Sequence, residues 1–372
     1  MDKDGRKRIG LILNYPRNWL GGIYYILNII KSFDFLEDAD RPFVNLFYDE
    51  DLSDFVDSID YPLVQATPWR FPGALSGYMR SFLTRKNLFS DSLLAHADLH
   101  GLYPINDYPT AVHDLNSRST KVVAWYPDLQ HKFYPQFFDR HRLLIREIKI
   151  GLMLRHATDL VVSSNDVRSK FHDLYPLSKR LNIHVVRFVS LMEQDSYAGI
   201  DSLRVKYDIP RDYFMVSNQI LEHKNLISLV EAIALIKKQG SEKHLVVTGK
   251  DRFNNIDNSD YLQRLRELVD REKLQDNVRF LGVIPRSDQL CLMKHAQAVV
   301  QPSLFEGWST LVEDAKSLDV PVLASNLEVH MEQLGGSAVY FDPFEPRDIA
   351  EKLKSFSADE RHAYPPYEER VR

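Results

Sequence analysis

The feature that most constrains this chain is an alternation that runs through it twice. Short apolar runs at Ile9 to Asn14, Pro42 to Tyr48, Asp98 to Ile105, Lys121 to Tyr126, Asp159 to Ser163 and His184 to Val189 are separated in several places by segments of helical length. Such runs fit strands buried on both faces of a sheet, and strands spaced by helices pair in parallel. After a polar stretch from Met192 to Tyr207 the pattern starts again, at Tyr213 to Ser217, His244 to Thr248, Val278 to Leu281, Ala298 to Gln301, Pro321 to Ser325 and Ala338 to Phe341. The expectation is an α/β chain of two Rossmann-like domains, 1–190 and 205–355, with a tail at 356–372. The 372 residues suffice for two cores. A central cleft faced by both parallel sheets is where a ligand of such an architecture is expected, with a hinge near residues 190–205.

Composition narrows the function classes. Hydrophobic residues at 44% and charged residues at 27% belong to a chain that packs rather than one that stays disordered. A net charge of -5 gives no overall basic field and argues against nucleic-acid binding driven by neutralising phosphates, leaving only a local basic patch open. One cysteine, Cys291, leaves neither an intrachain disulfide nor a multi-cysteine zinc cage, and it reads as a core residue. Six of the first eight residues are charged, and no window reaches the roughly 18 apolar residues that a spanning helix needs. A cytoplasmic protein is expected, whose membrane contact, where it occurs, is peripheral to the inner face.

Chemistry concentrates in the second series. The segment Gln301-Pro302-Ser303-Leu304-Phe305-Glu306-Gly307-Trp308-Ser309-Thr310-Leu311-Val312-Glu313-Asp314-Ala315 ends a buried strand, carries an acid and a glycine through a loop, and begins a helix near Ser309 or Thr310. Gly307 lets main-chain N–H groups approach a ligand closely. The free N–H groups and positive dipole end of the helix favour an anion such as a diphosphate. A purely local account competes with this one: Thr310 and Glu313 have the spacing of a capping box, with Asp314 then free to accept hydrogen bonds from ribose hydroxyls. The turn Asn218-Gln219-Ile220-Leu221-Glu222-His223-Lys224-Asn225 lies between a strand and the apolar helix Leu226 to Ile236.

These two segments resemble the donor site of family-4 glycosyltransferases, which have the two-domain GT-B fold. The resemblance spans residues 8–350, most strongly 213–343. Glu306 matches the acid that in the family contacts the transferred sugar. Asp314 matches the acid that holds the ribose, usually Glu, and the assignment stays open between Asp314 and Glu313. Lys224 matches a lysine that grips the donor diphosphate, while Gln219 stands where the family has arginine, an exchange of charge for a neutral amide. Lys250 and Arg252 are the cations expected to compensate. The resemblance also implies that Gly307, Trp308, Ser309, Thr310 and Leu311 line the donor site, and that Gly21 and Gly22, in the loop Tyr15 to Gly22 ahead of a helix from Ile23, keep side chains away from the donor. Asp128 and His131, after the strand Lys121 to Tyr126, match loosely the place of a His-Asp pair near the reacting sugar, although Pro127 precedes Asp128 here.

The resemblance therefore implies a retaining transfer of a sugar from a nucleotide diphosphate sugar to a glycan, lipid-linked or small-molecule acceptor, with Glu306, His131 and Asp128 nearest the reacting atoms. No cofactor is expected beyond the nucleotide sugar as co-substrate. No metal is expected either: Asp38-Ala39-Asp40 and Asp49-Glu50-Asp51 have the spacing of metal-dependent transferases of another fold but lack flanking ligands. A sugar-nucleotide epimerase and a degenerate sugar-nucleotide-binding scaffold are the competing readings, the second kept open by Gln219 and Pro127. After Phe344 the sequence offers only a helix near Pro346 to Ser355 and a Pro-containing tail, so the last helix that commonly returns to the first domain is expected to be short or absent.

Overall fold

The computed structural model describes residues 5–17, 19–111, 120–191, 199–250, 259–357 and 364–365. Arg252, the start of the polar stretch at 192–198 and most of the tail lie outside the described residues. The chain divides into two compact units, one running to Phe188 and the other starting at Val189.

The first unit runs β1 (Arg8–Leu13), α1 (Leu20–Ser32), β2 (Phe43–Tyr48), α2 (Ser53–Val56), β3 (Val64–Pro68), α3 (Ala74–Thr84), α4 (Asp91–His96), β4 (Gly101–Ile105), β5 (Lys121–Trp125), α5 (Gln130–Phe133), α6 (Arg140–His156), β6 (Asp159–Val162), α7 (Asn165–Leu174) and β7 (Asn182–Val185). Its seven strands are all parallel, in the order β3-β2-β1-β4-β5-β6-β7. The second unit runs α8 (Ile200–Tyr207), β8 (Phe214–Ser217), α9 (Leu226–Lys238), β9 (Leu245–Thr248), α10 (Ser259–Arg271), β10 (Val278–Gly282), α11 (Arg286–Lys294), β11 (Ala298–Gln301), α12 (Thr310–Ser317), β12 (Val322–Ser325), α13 (Glu328–Leu334), β13 (Ala338–Phe341) and α14 (Pro346–Ser355). Its six strands are also parallel, in the order β10-β9-β8-β11-β12-β13. Both sheets are the doubly wound Rossmann-like arrangement expected from the alternation.

Side chains alternate across each strand, so each sheet carries two cores. In the second unit Phe214, Val216, Leu245, Val247 and Val300 pack on one face with α9, α10 and α14. Met215, Val246, Val299 and Val322 pack on the other with α11 and α12. Burial on both faces is why these strands read as unbroken apolar runs. β3 escaped that reading because it is an edge strand with only half-buried and exposed residues. Cys291 is buried in the second core, as expected. Among the described residues, no helix is long and apolar enough to cross a membrane.

In both sheets the order reverses beside the first strand, between β1 and β4 and between β8 and β11. At such a switch point the connections leave toward opposite faces and open a crevice at the carboxyl ends of the strands, where ligands of open α/β sheets bind. Phe171 on α7 is fully buried. Phe171→Ala is expected to cost about 3–5 kcal/mol, whereas Phe82→Ala on the exposed side of α3 should change stability by about 0.5 kcal/mol or less. Urea unfolding followed by circular dichroism measures both.

Candidate functional site

The two sequence segments with the densest chemistry leave the two switch-point strands of the second unit. Residues 218–225 follow β8 and residues 302–309 follow β11, and the connections are joined at three levels. Asn218 donates its amide N–H to Gln301 Oε1 at 2.7 Å, the Leu304 N–H donates to the His223 carbonyl at 2.8 Å, and Lys224 Nζ pairs with Glu306 Oε1 at 2.6 Å. Gly249, at the end of β9, makes the close approach possible. Its φ is +135°, and a Cβ there would lie 1.8 Å from the Asn218 carbonyl oxygen, so only glycine fits. The turn after β8 is thereby tied to the neighbouring strand end, with Ile220 N–H donating to the Lys250 carbonyl at 2.9 Å. Lys250 thus stands next to Gln219, with its side chain exposed.

Glu306 is the centre of the site. Its Oε1 also accepts from Gln301 Nε2 at 2.7 Å. Burial alone raises its pKa, but the Lys224 charge and hydrogen bond, together with His330 and Ser303, outweigh it and hold the carboxyl below its ordinary value. His330 on α13 is fully buried and bonds the Ser325 carbonyl through Nδ1 at 3.0 Å; desolvation lowers its pKa against the opposing pull of Glu306. His223 is pushed down to about 3, first by desolvation and then by Lys224 beside it.

The start of α12 completes the site. Ser309 is the N-cap and accepts from the Val312 N–H at 3.3 Å. The capping-box expectation is therefore corrected: the cap lies one residue earlier than Thr310, and Glu313 falls outside the box. Glu313 is fully buried, holding Lys316 Nζ and Gln333 Nε2, each at 2.9 Å. Gln333 on α13 also accepts from the Ser309 N–H at 3.2 Å and donates to its carbonyl at 2.9 Å. Between Gln301 and Ala315 the one exposed residue is Thr310, at the tip of the helix; Gly307, Trp308 and Leu311 are buried around it. Asp314 was expected to be free for a ribose and is not. Its Oδ1 accepts from Ser190 Oγ and from Arg286, both at 2.6 Å.

Arg286 is the residue that sequence reasoning missed. It opens α11, where the positive end of the helix dipole disfavours a cation. That mismatch was a readable signal, and the structure resolves it with Asp314. Gln333 and His330 carried no local signal because their partners lie on other elements.

Two expectations in the first unit are corrected. Gly21 and Gly22 lie in the first turn of α1 rather than in a loop. A Cβ on Gly22 would come within 2.7 Å of the Trp19 ring, which stacks over Trp125, so aromatic packing accounts for this glycine. His131 is buried, 3.0 Å from Glu147 on α6, in a cluster with Lys132 and Tyr175, and so fastens α5 to α6 from inside instead of facing a sugar. Asp128 accepts from the Gln130 N–H at 3.0 Å and shapes the turn into α5. Among the described residues no three His, Cys, Asp or Glu side chains are grouped to hold a metal ion.

Two tandem Rossmann-like units of parallel strands are the architecture of the GT-B fold. Solved structures agree on the fold. A glycosyltransferase from Rickettsia africae superposes with a TM-score of 0.65 at 13% identity, over 99% of this chain and 92% of that one. HepE of Anabaena, solved in complex with UDP and glucose, gives 0.64 at 17% identity, over 96% and 92%. Residues 200–371, most of the second unit, match the family model described as glycosyl transferases group 1. Among curated proteins, O-antigen chain mannosyltransferase B of Escherichia coli is 22% identical over 276 residues, 72% of this chain and 70% of that protein.

Because Glu306 and Lys224 are both mostly buried, removing one partner strands the other's charge. Lys224→Met is expected to destabilise the second unit by about 3–5 kcal/mol, with most of the loss recovered in Lys224→Met/Glu306→Gln, as read from denaturant midpoints. His223 has a folded pKa of about 3 against an ordinary 6.5, so the unfolded chain takes up its proton first on acidification. The contribution of His223 to stability is full above pH 6.5 and is lost as the pH falls toward about 3. The acid side of the stability profile should therefore be shallower in His223→Asn, which a series of thermal melts across this range tests.

Proposed function

We propose that the chain transfers a sugar from a nucleotide diphosphate sugar to a glycan, lipid-linked or small-molecule acceptor, with retention of configuration, in the assembly of a polysaccharide. The observation that carries this reading is the Lys224–Glu306 pair beside the tip of α12, at the switch point of a group 1 domain. The relative named as an O-antigen chain mannosyltransferase and the neighbour solved with UDP and glucose support the substrate class.

In this reading the bond from the anomeric carbon to the terminal phosphate oxygen breaks, and negative charge grows on the departing diphosphate. Lys224 and the N–H groups of Thr310 and Leu311 meet that charge, the role a metal has in other transferases, and no metal is needed. Glu306, held ionised, accepts hydrogen bonds from the sugar hydroxyls and orients the ring. The acceptor oxygen forms its bond on the face the phosphate leaves, and its proton passes to the leaving phosphate oxygen, so no enzyme nucleophile is invoked. Ribose hydroxyls exchange with Ser190 or Arg286 on Asp314, whereas Glu313 is committed to supporting its own helix. Gln219 contributes a neutral hydrogen bond where the family has a cation, and Lys250 beside it supplies charge. Gly21 is the part of the glycine pair that remains open to a ligand. The first unit is assigned to the acceptor.

Gln219 also favours a second reading, a sugar-nucleotide-binding protein without turnover. Saturation-transfer NMR of the purified chain against UDP-, GDP-, ADP- and dTDP-sugars without added metal separates the two when paired with a donor-hydrolysis assay. The expected result is selective binding of one donor class and measurable release of the nucleotide diphosphate. Glu306→Gln should slow that release by about 100-fold or more, a loss typical of removing one group that acts on the transition state. Binding without release in the wild type supports the non-catalytic reading, and absence of binding to every donor removes the donor site altogether.

A further inference from the structure

One arginine decides what the carboxylate of Asp314 can offer. Arg286 opens α11, and Gln289, one turn on, contacts the Ser217 hydroxyl at the end of β8 through its side-chain amide. From there the guanidinium spans to α12. One terminal nitrogen donates to Gln289 Oε1 at 3.2 Å and the other to Asp314 Oδ1 at 2.6 Å. Ser190 Oγ donates to the same carboxylate oxygen at 2.6 Å, and the Ser190 carbonyl accepts from Ser317 Oγ of α12, also at 2.6 Å. The Asp314 side chain is 6% exposed and that of Arg286 34%, so the acid is enclosed while the cation stands at the rim. A helix start disfavours a cation, and an ion pair with one partner partly in water returns little, so stability alone is a thin reason for this arrangement.

A nucleotide carries a replacement for each of these contacts. Ribose presents two neighbouring hydroxyls, and two donors on Asp314 are what Ser190 and Arg286 supply. Hydroxyls restore the hydrogen bonds but not the charge, so a guanidinium pushed off an enclosed carboxylate needs a second anion. In a nucleoside diphosphate that anion is attached to the displacing group, because the same ribose carries the phosphates. Guanidinium pairs with phosphate through two parallel hydrogen bonds, which suits arginine to such an exchange where lysine offers only a point charge. The adjoining turn leaves room for a cation in this role, since Gln219, two residues beyond Ser217, brings no charge of its own. We propose that Arg286 changes partners when the donor binds: ribose hydroxyls take its place on Asp314, and the released guanidinium grips the diphosphate. The proposal rests on the donor-site reading above and adds a selection to it. A nucleoside without phosphates can take Asp314 only by leaving Arg286 unpaired, so the pair admits complete nucleotides and resists their fragments.

Titration calorimetry of the full chain with UDP, GDP and ADP, each against its own nucleoside, tests this. For whichever diphosphate binds, Arg286→Gln is expected to weaken it by about 10- to 100-fold while the nucleoside binds no more weakly than to the wild type. Asp314→Asn gives a result of opposite sign. It releases the guanidinium without any ribose, so inorganic pyrophosphate should bind this variant about tenfold or more tightly than the wild type, and Arg286→Gln/Asp314→Asn should lose the gain. Melting temperatures establish that each variant is folded, and the Asp314→Asn arm decides the matter should Arg286→Gln fail to fold. Equal losses for nucleoside and diphosphate in Arg286→Gln make Arg286 a support for the fold and overturn the proposal, as does pyrophosphate binding that Asp314→Asn leaves unchanged. In both of those cases the donor site itself stands, because the wild type still binds its diphosphate. A folded wild type that binds none of the three diphosphates removes the donor-site reading and this proposal together.

Discussion

Two neighbouring parallel strands, β8 and β11, send their chains to opposite faces of one sheet, and the second unit's site exists because something holds the two departures together. That something is the ion pair of Lys224 with Glu306, with the Asn218–Gln301 and Leu304–His223 hydrogen bonds below it. A buried pair of this kind is poor evidence of stability, since desolvation consumes most of its attraction. Its presence at a switch point is better understood as the maintenance of an ionised carboxylate at the carboxyl ends of the strands.

The sheets were legible from sequence because parallel strands covered on both faces leave a signature of unbroken apolar runs. β3 was not, since an edge strand with exposed residues loses that signature. The loop with Glu306 and the turn with Lys224 were legible for a different reason: their residues sit within a few positions of a strand end, so the chemistry is local. What stayed hidden depends on partners distant along the chain. Whether Glu313 caps its helix or supports it is decided by Gln333. Whether Asp314 is free is decided by Arg286 and Ser190. A histidine after a strand looks available until Glu147 on α6 and Tyr175, just past the end of α7, enclose it. Gly22 looked like a ligand-facing glycine, but the ring of Trp19 occupies the space its side chain would need.

The two units treat exposed groups in contrasting ways. In the second, polar side chains are drawn inward around α12 and each finds a partner, so that a cluster costly to bury is held in one arrangement. In the first, α3 turns large apolar side chains outward among cations, giving up burial that a helix of its composition could have had.

Gln333 bonds both the N–H and the carbonyl of the residue that caps α12, and it does so from a different helix. The direction of the α12 dipole is therefore fixed by the folded unit before any anion arrives. Water around a free ion must turn its own dipoles to stabilise new charge, and that reorganisation is a large part of why charge separation is slow in solution. Here the orienting work is done once, when α13 docks, and the anion proposed to settle at Thr310 would meet a field that has nothing left to rearrange.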